Sequence, residues 1–420
     1  MRRLFGGFVL LLMTACSSSS DDNSAGQAGA SNAGASNAGA SDAGAPNAGA
    51  SNAGAASGGK SSAGASNAGG PSAGAPSAGA GGAVTAPDTK WINSVGNLLS
   101  VVDANPGEVA YLSAEPNSNR VIAAVNKVGL YVTSDAGQTW THLGSGAGSD
   151  AITHGDFALI YDPDHAGVFW ESGAYGTFSD GIYTSLDDGV TFKQLGTIGH
   201  NDLVSIDFSD PARKTLLAGA HEAAQKLYES TDGGLTWTDI GKNLPAGSSF
   251  SSLPLIIDTQ TFLLGVAGYG DGTWGVLRST DGGTTWTSTS TEGPSGWPLR
   301  ASDGSIYWQL RSEGMIMSSD QGKTWTKGGS GPIQTQTGGP LELPDGRIIT
   351  LGHDHAVVSA DKGMTWQQVG DTLPFTNENC QTYGFTYSAA LKTLFINHNN
   401  CSGNLIADSI WSSGFDYSKE

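Results

Sequence analysis

The chain has 420 residues, with 39 Asp and Glu against 20 Lys and Arg, for a formal net charge of −19. Acidity on this scale argues against nucleic acid or an anionic lipid surface as a docking partner. It also gives no help in holding a polyanionic glycan. Only Arg2, Arg3 and Lys60, and Asp21, Asp22 and Asp42, stand before residue 87, so the acidic charge belongs to the rest of the chain.

Arg2 and Arg3 precede an apolar run from Leu4 to Met13, followed by Thr14, Ala15 and Cys16. A short basic start, an apolar stretch too short to span a bilayer and small residues before a Cys read as a secretory signal over 1–16. The small pair before Cys16 resembles a bacterial lipoprotein signal, although Met13 stands where Leu is more usual. The resemblance implies lipidation of Cys16, and Ser17 after it, in place of Asp, resembles outer-membrane sorting. A plain secreted protein cut nearby is the alternative.

Residues 17–86 are near-copies of SNAGA with a few prolines. Side chains this small cannot offset the entropy of ordering, so the segment reads as a flexible tether. Its r.m.s. reach is on the order of 45 Å. The expected membrane attachment is through the lipid alone, and the expected state is a monomer. Cys380 and Cys401 remain as an even pair in an exported chain, which predicts a disulfide.

Residues 87–420 carry one pattern six times, Ser/Thr-x-Asp-x-Gly-x-Thr-Trp/Phe, with its aspartate at Asp135, Asp187, Asp232, Asp281, Asp320 and Asp361. The third copy is STDGGLTW, from Ser230 to Trp237. The intervals suit one supersecondary unit per repeat. In a tight hairpin the Asp can accept backbone N–H groups, Gly supplies positive φ, Thr restarts a strand and the aromatic ring buries against the neighbouring unit. The pattern resembles the Asp-box, or BNR repeat, of sialidase-like propellers, xyloglucan-degrading endoglucanases, sortilin-type receptors and photosystem assembly propellers. That resemblance implies a structural hairpin on the outer rim for each boxed Asp.

Alternating, β-branched stretches predict a nearly all-β chain of four-stranded units. After the sixth copy, strands are expected at 383–387, 393–396 and 408–412, with no further box. Lys90 to Val95 (KWINSV) reads as a fourth strand carrying the repeat's tryptophan, Trp91, without the preceding hairpin. A seventh blade made from both ends closes the ring and removes free edges. The predicted fold is therefore a seven-bladed β-propeller, with six blades as the alternative.

In such propellers the ligand face is built from loops entering each first strand and loops joining second to third strands. These loops hold six of the eight histidines. The candidate acid/base residues are His154, Asp156, His200, Asp202, His221, Glu222 and His353; imidazoles beside carboxylates suit proton transfer near neutral pH. Tyr175, Tyr269, Asp271, Trp274, Trp308, Arg311 and His398 are candidates for substrate contact, and Asp180 shares the face. A sialidase is disfavoured, because only Arg311 sits on this face and no Arg-Ile-Pro occurs. The endoglucanases resembled here use two tandem propellers and a cleft between them, which one propeller cannot supply. A glycoside hydrolase or polysaccharide lyase acting on an extracellular carbohydrate is the leading expectation, ahead of a propeller that only binds a glycan or protein. No cofactor motif appears; the histidines and carboxylates would permit a divalent metal, with His353 and His355 the most compact pair.

Overall fold

The computed structural model describes residues 88–102, 109–152, 155–175, 180–248, 251–267, 275–311, 314–329, 331, 333, 339–375, 384–397 and 409–419, with backbone alone at 155–157, 251 and 267. All of them fall in one compact unit, Gly79–Glu420. The leader, tether, Cys380 and Cys401 lie outside the described residues. Among the described residues no helix is long and apolar enough to cross a membrane.

Seven antiparallel sheets of four strands each form the expected seven-bladed β-propeller. A representative blade runs Asn201–Ile206, Leu216–Ala220, Leu227–Ser230 and Thr238–Asp239, each strand pairing with the next. The seventh blade joins Phe385–Ser388, Thr393–Asn397 and Ile410–Gly414 to Ile92–Asn93 from the other end. The N-terminal strand is shorter than the 90–95 expected. Val95 starts a turn held by its carbonyl to the Leu98 N–H at 3.0 Å, which leads into a one-turn helix, Leu98–Val101.

The hairpin chemistry expected of the repeat is present in full. Ser230 Oγ donates to Asp232 Oδ1 at 2.8 Å and accepts from the Gly234 N–H at 2.8 Å. Thr236 donates its N–H to Asp232 Oδ1 at 2.9 Å and its hydroxyl to Oδ2 at 2.6 Å. Gly234 sits at φ +87°, a conformation other residues adopt at a cost. The corresponding bonds recur at Asp135, Asp187, Asp281, Asp320 and Asp361. Each aspartate is thus committed to its own turn, and the hydrogen bonds from the downstream Thr hold Asp232 and Asp281 at a pKa of about 2.

The closing aromatic residues stitch neighbouring blades together. Trp237 Nε1 donates to the Leu195 carbonyl of the preceding blade at 2.9 Å. The ring fits because residue 196 is glycine; a Cβ there would meet Trp237 Cδ1 at 2.4 Å. Trp140 is fully buried and donates to the Ser94 carbonyl at 3.0 Å, tying the first blade to the composite one. Trp91 performs the same task for the composite blade itself, donating to Asp371 O at 3.1 Å across 280 residues of sequence. Apolar clusters between sheets do the rest: Leu217 and Leu227 of one blade pack with Phe262, Leu264 and Leu277 of the next.

Candidate functional site

An up-and-down blade places the loops entering first strands, and those joining second to third strands, at one end of the ring, opposite the repeat hairpins. Tyr175 stands at the end of the second strand Phe169–Ala174, and Asp180 just before the third, Gly181–Ser185. His200 enters the next blade, and His221 leaves that blade's second strand. The His221 N–H donates to the His200 carbonyl at 2.8 Å, so the two histidines prolong the ladder as cross-strand neighbours. A register shift between Asn201 and Val204 carries Asp202 into the same group, as bulges beside sites often do.

Three rings meet edge to face here. The centroids of Tyr175, His200 and His221 are separated by 4.9 Å (Tyr175 to His200), 5.1 Å (Tyr175 to His221) and 5.2 Å (His200 to His221). Hydrogen bonds order them further. His221 Nδ1 is 2.6 Å from Asp202 Oδ1, and its Nε2 is 2.6 Å from the Tyr175 hydroxyl. His200 Nδ1 faces Asp180 Oδ2 at 3.4 Å, and Glu222 Oε1 lies 3.8 Å from His221 Nε2. Tyr175, His200 and Glu222 all hold left-handed backbone conformations, with φ of 63°, 60° and 50°. Three such residues in one group mark backbone held against its preference by the surrounding structure.

Burial grades the group. Asp202 is only 7% exposed, whereas Tyr175 is 49% exposed, so the hydrogen-bonded chain runs from the interior to the solvent. Asp202 Oδ2 has no hydrogen-bond partner among the described residues. Burial, the largest single influence on His221, favours the neutral ring. The Asp202 hydrogen bond, with the charges of Asp202 and Glu222, outweighs it and raises the imidazole above its ordinary value. Burial and then the charge of Glu222 push the Tyr175 phenol well above the usual tyrosine range, so it is a neutral hydroxyl and a proton carrier.

Of the residues expected to act together, the structure therefore gathers His200, Asp202, His221, Glu222 and Tyr175. Asp180, which the sequence placed on this face without a role, joins them through His200. Its signal was present in the spacing, since it closes the loop begun by Tyr175. His353 is exposed at a separate loop, and His355 beside it turns to Asp354, 3.0 Å away, and Thr372 Oγ1, 3.3 Å away. Trp308 is fully buried between blades, donates to the Gly296 carbonyl and offers no face to a sugar. Arg311 is exposed. His154, Tyr269, Asp271, Trp274 and His398 lie outside the described residues, as does the side chain of Asp156.

The fold and this constellation define a seven-bladed propeller with a Tyr–His–Asp cluster between two adjacent blades. No family model matches the chain. Two curated xyloglucanases are similar to parts of it. The one from Paenibacillus sp is 30% identical over 132 residues, 31% of this chain and 10% of that protein. The one from Hypocrea jecorina (strain QM6a) is 30% identical over 159 residues, 36% of this chain and 17% of that protein. The chain thus matches less than a fifth of the length of either relative. Among solved structures, YCF48 bound to D1 peptide has a TM-score of 0.50 at 13% identity, covering 78% of this chain and 97% of that one, which shows the shared fold.

Proposed function

We propose that this chain is an exported lipoprotein, anchored through Cys16 and spaced by residues 17–86, whose propeller binds and cleaves an extracellular carbohydrate by general acid catalysis. The observation that carries the reading is the Asp202–His221–Tyr175 chain of two 2.6 Å hydrogen bonds leading from a buried carboxylate to an exposed phenol. The partial similarity to xyloglucanases supports a glycan as substrate.

In this reading protonated His221 donates Nδ1–H to Asp202 and Nε2–H to the Tyr175 oxygen, and the phenol hydrogen, which Glu222 accepts in the free chain, turns to the substrate when it binds. As the glycosidic C–O bond breaks, the leaving oxygen takes that hydrogen and Tyr175 takes the Nε2 proton. His221 ends neutral, with Asp202 fixing its tautomer. The attacking water adds to the anomeric carbon from the opposite face of the sugar and releases its proton to solvent. Hydrolysis is favoured over elimination beside a uronate, because Asp180, Asp202 and Glu222 would repel a uronate carboxylate.

The test is to incubate the purified chain, without its leader, with a panel of neutral and uronate-containing polysaccharides. Reducing ends and unsaturated products are followed together. New reducing ends without unsaturation support hydrolysis, and unsaturated ends would replace it with elimination. Binding to a glycan array with no product would establish the non-catalytic alternative. Neither binding nor cleavage of any glycan would end both readings.

A further inference from the structure

We propose that His200, His221 and Glu222 form a zinc site. One ring nitrogen of each histidine and a carboxylate oxygen of Glu222 lie within 4.8 Å of one another. Zinc bonds of about 2.0–2.2 Å place tetrahedral ligand atoms roughly 3.3–3.5 Å apart, so small side-chain rotations would close the set. His221 Nε2 and Glu222 Oε1, at 3.8 Å, are already near that spacing.

The surroundings of the two rings strengthen the case. Each presents Nδ1 to a carboxylate, His200 to Asp180 and His221 to Asp202. A metal-bound imidazole characteristically gives its second nitrogen to such an outer carboxylate, which fixes the tautomer and raises ligand basicity. Nε2 is therefore the atom each ring has for an ion, and His200 Nε2 has no hydrogen-bond partner among the described residues. Three carboxylates around two imidazoles favour a cation, and a donor set of two nitrogens and one oxygen suits zinc better than calcium or magnesium, which take oxygen. Three protein ligands leave a fourth position open.

The site uses the same side chains as the proposed reaction, but its occupation needs no glycan. Tyr175 already uses His221 Nε2. Ion and phenol compete for that nitrogen, so a zinc-loaded chain would lack the Tyr175–His221 hydrogen bond.

The test is calorimetric titration of the purified, chelator-stripped chain with zinc chloride, repeated with cobalt(II) to read coordination from its visible absorption. Saturable uptake is expected, weakened about tenfold or more by His200→Ala and by Glu222→Gln. His165→Ala, on the hairpin side of the ring, should leave uptake unchanged, and Tyr175→Phe should bind at least as tightly as the parent. Absence of uptake, or uptake that both site variants leave intact, overturns the proposal. The glycan assay is run separately in chelator: cleavage without zinc uptake removes the zinc site alone, and zinc uptake without cleavage of any glycan removes the reaction alone.

Discussion

The Tyr175 hydroxyl and His221 Nε2 are 2.6 Å apart and belong to neighbouring blades. Ser172, three residues before Tyr175, also donates to the Asp202 carbonyl of the neighbouring blade, at 3.3 Å. The position of the phenol therefore depends on how two sheets pack, and its removal is a local test of the reaction. Tyr175→Phe should lower glycan cleavage by about 10²-fold or more, the usual contribution of a positioned proton donor. The thermal midpoint should stay within a degree or two, since the hydroxyl is at the surface. His221→Ala should cost as much, and the double variant no more than the worse single one, because the two act as a unit. Additive losses would separate their roles.

Asp202 controls His221. With the carboxylate replaced in Asp202→Asn, its charge is lost and burial dominates, so the His221 pKa should fall from above its ordinary value toward or below it. NMR titration of the imidazole in chelator reads this directly. The linkage follows in sign. A raised folded pKa contributes stability that is full below the unfolded value near 6.5 and is lost as pH rises through the folded value. Asp202→Asn should therefore flatten the decline of stability between neutral and mildly alkaline pH.

The hairpin aspartates predict the opposite limb. Asp232 and Asp281 titrate at about 2, against an ordinary 3.8. Their contribution is present above the ordinary value and lost as pH falls through about 2. The hairpin contribution to the unfolding midpoint, followed by circular dichroism, should be complete above about pH 5, where the His221 decline at higher pH is separate from it, and should fall between about pH 4 and 2. Asp232→Asn should shrink that decline.

The repeat tryptophans should not be equivalent. Trp140 is fully buried against the composite blade, whereas Trp366 is partly exposed. Trp140→Ala should cost about 3–5 kcal/mol by denaturant unfolding, and Trp366→Ala distinctly less. Equal losses would show that the rings act through their hairpins and not through the blade interfaces.

The architecture was legible because the repeat states its own chemistry: Ser, Asp, Gly and Thr are spaced so that one turn satisfies all of them, and counting turns counts six of the seven blades. Trp91 was legible for the same reason, being a repeat aromatic without its hairpin. Trp308 was misjudged as a ligand contact because an indole suits a sugar face and a blade interface equally well, and only packing separates the two. The meeting of Tyr175 with His221 could not be read from spacing, since it spans 46 residues and a blade boundary. His200 and His221 were paired only by the ladder, and the bulge that turns Asp202 toward them leaves no mark in the alternation of residues.

Ser94 and Ser412 share a 2.5 Å hydrogen bond across 318 residues. The clasp that closes the ring is thus made by the first described strand and the last. Each interior blade can assemble from chain already synthesised, while Ile92–Asn93 must wait, unpaired, for Ile410–Gly414 to arrive. Contacts this distant in sequence are slow to form. Until the final residues are delivered, the first and sixth blades present open apolar flanks, Trp140 on one side and Val358 and Val369 on the other. A chain shortened by a dozen residues at its C-terminus would keep every repeat hairpin and still be the form most prone to aggregate.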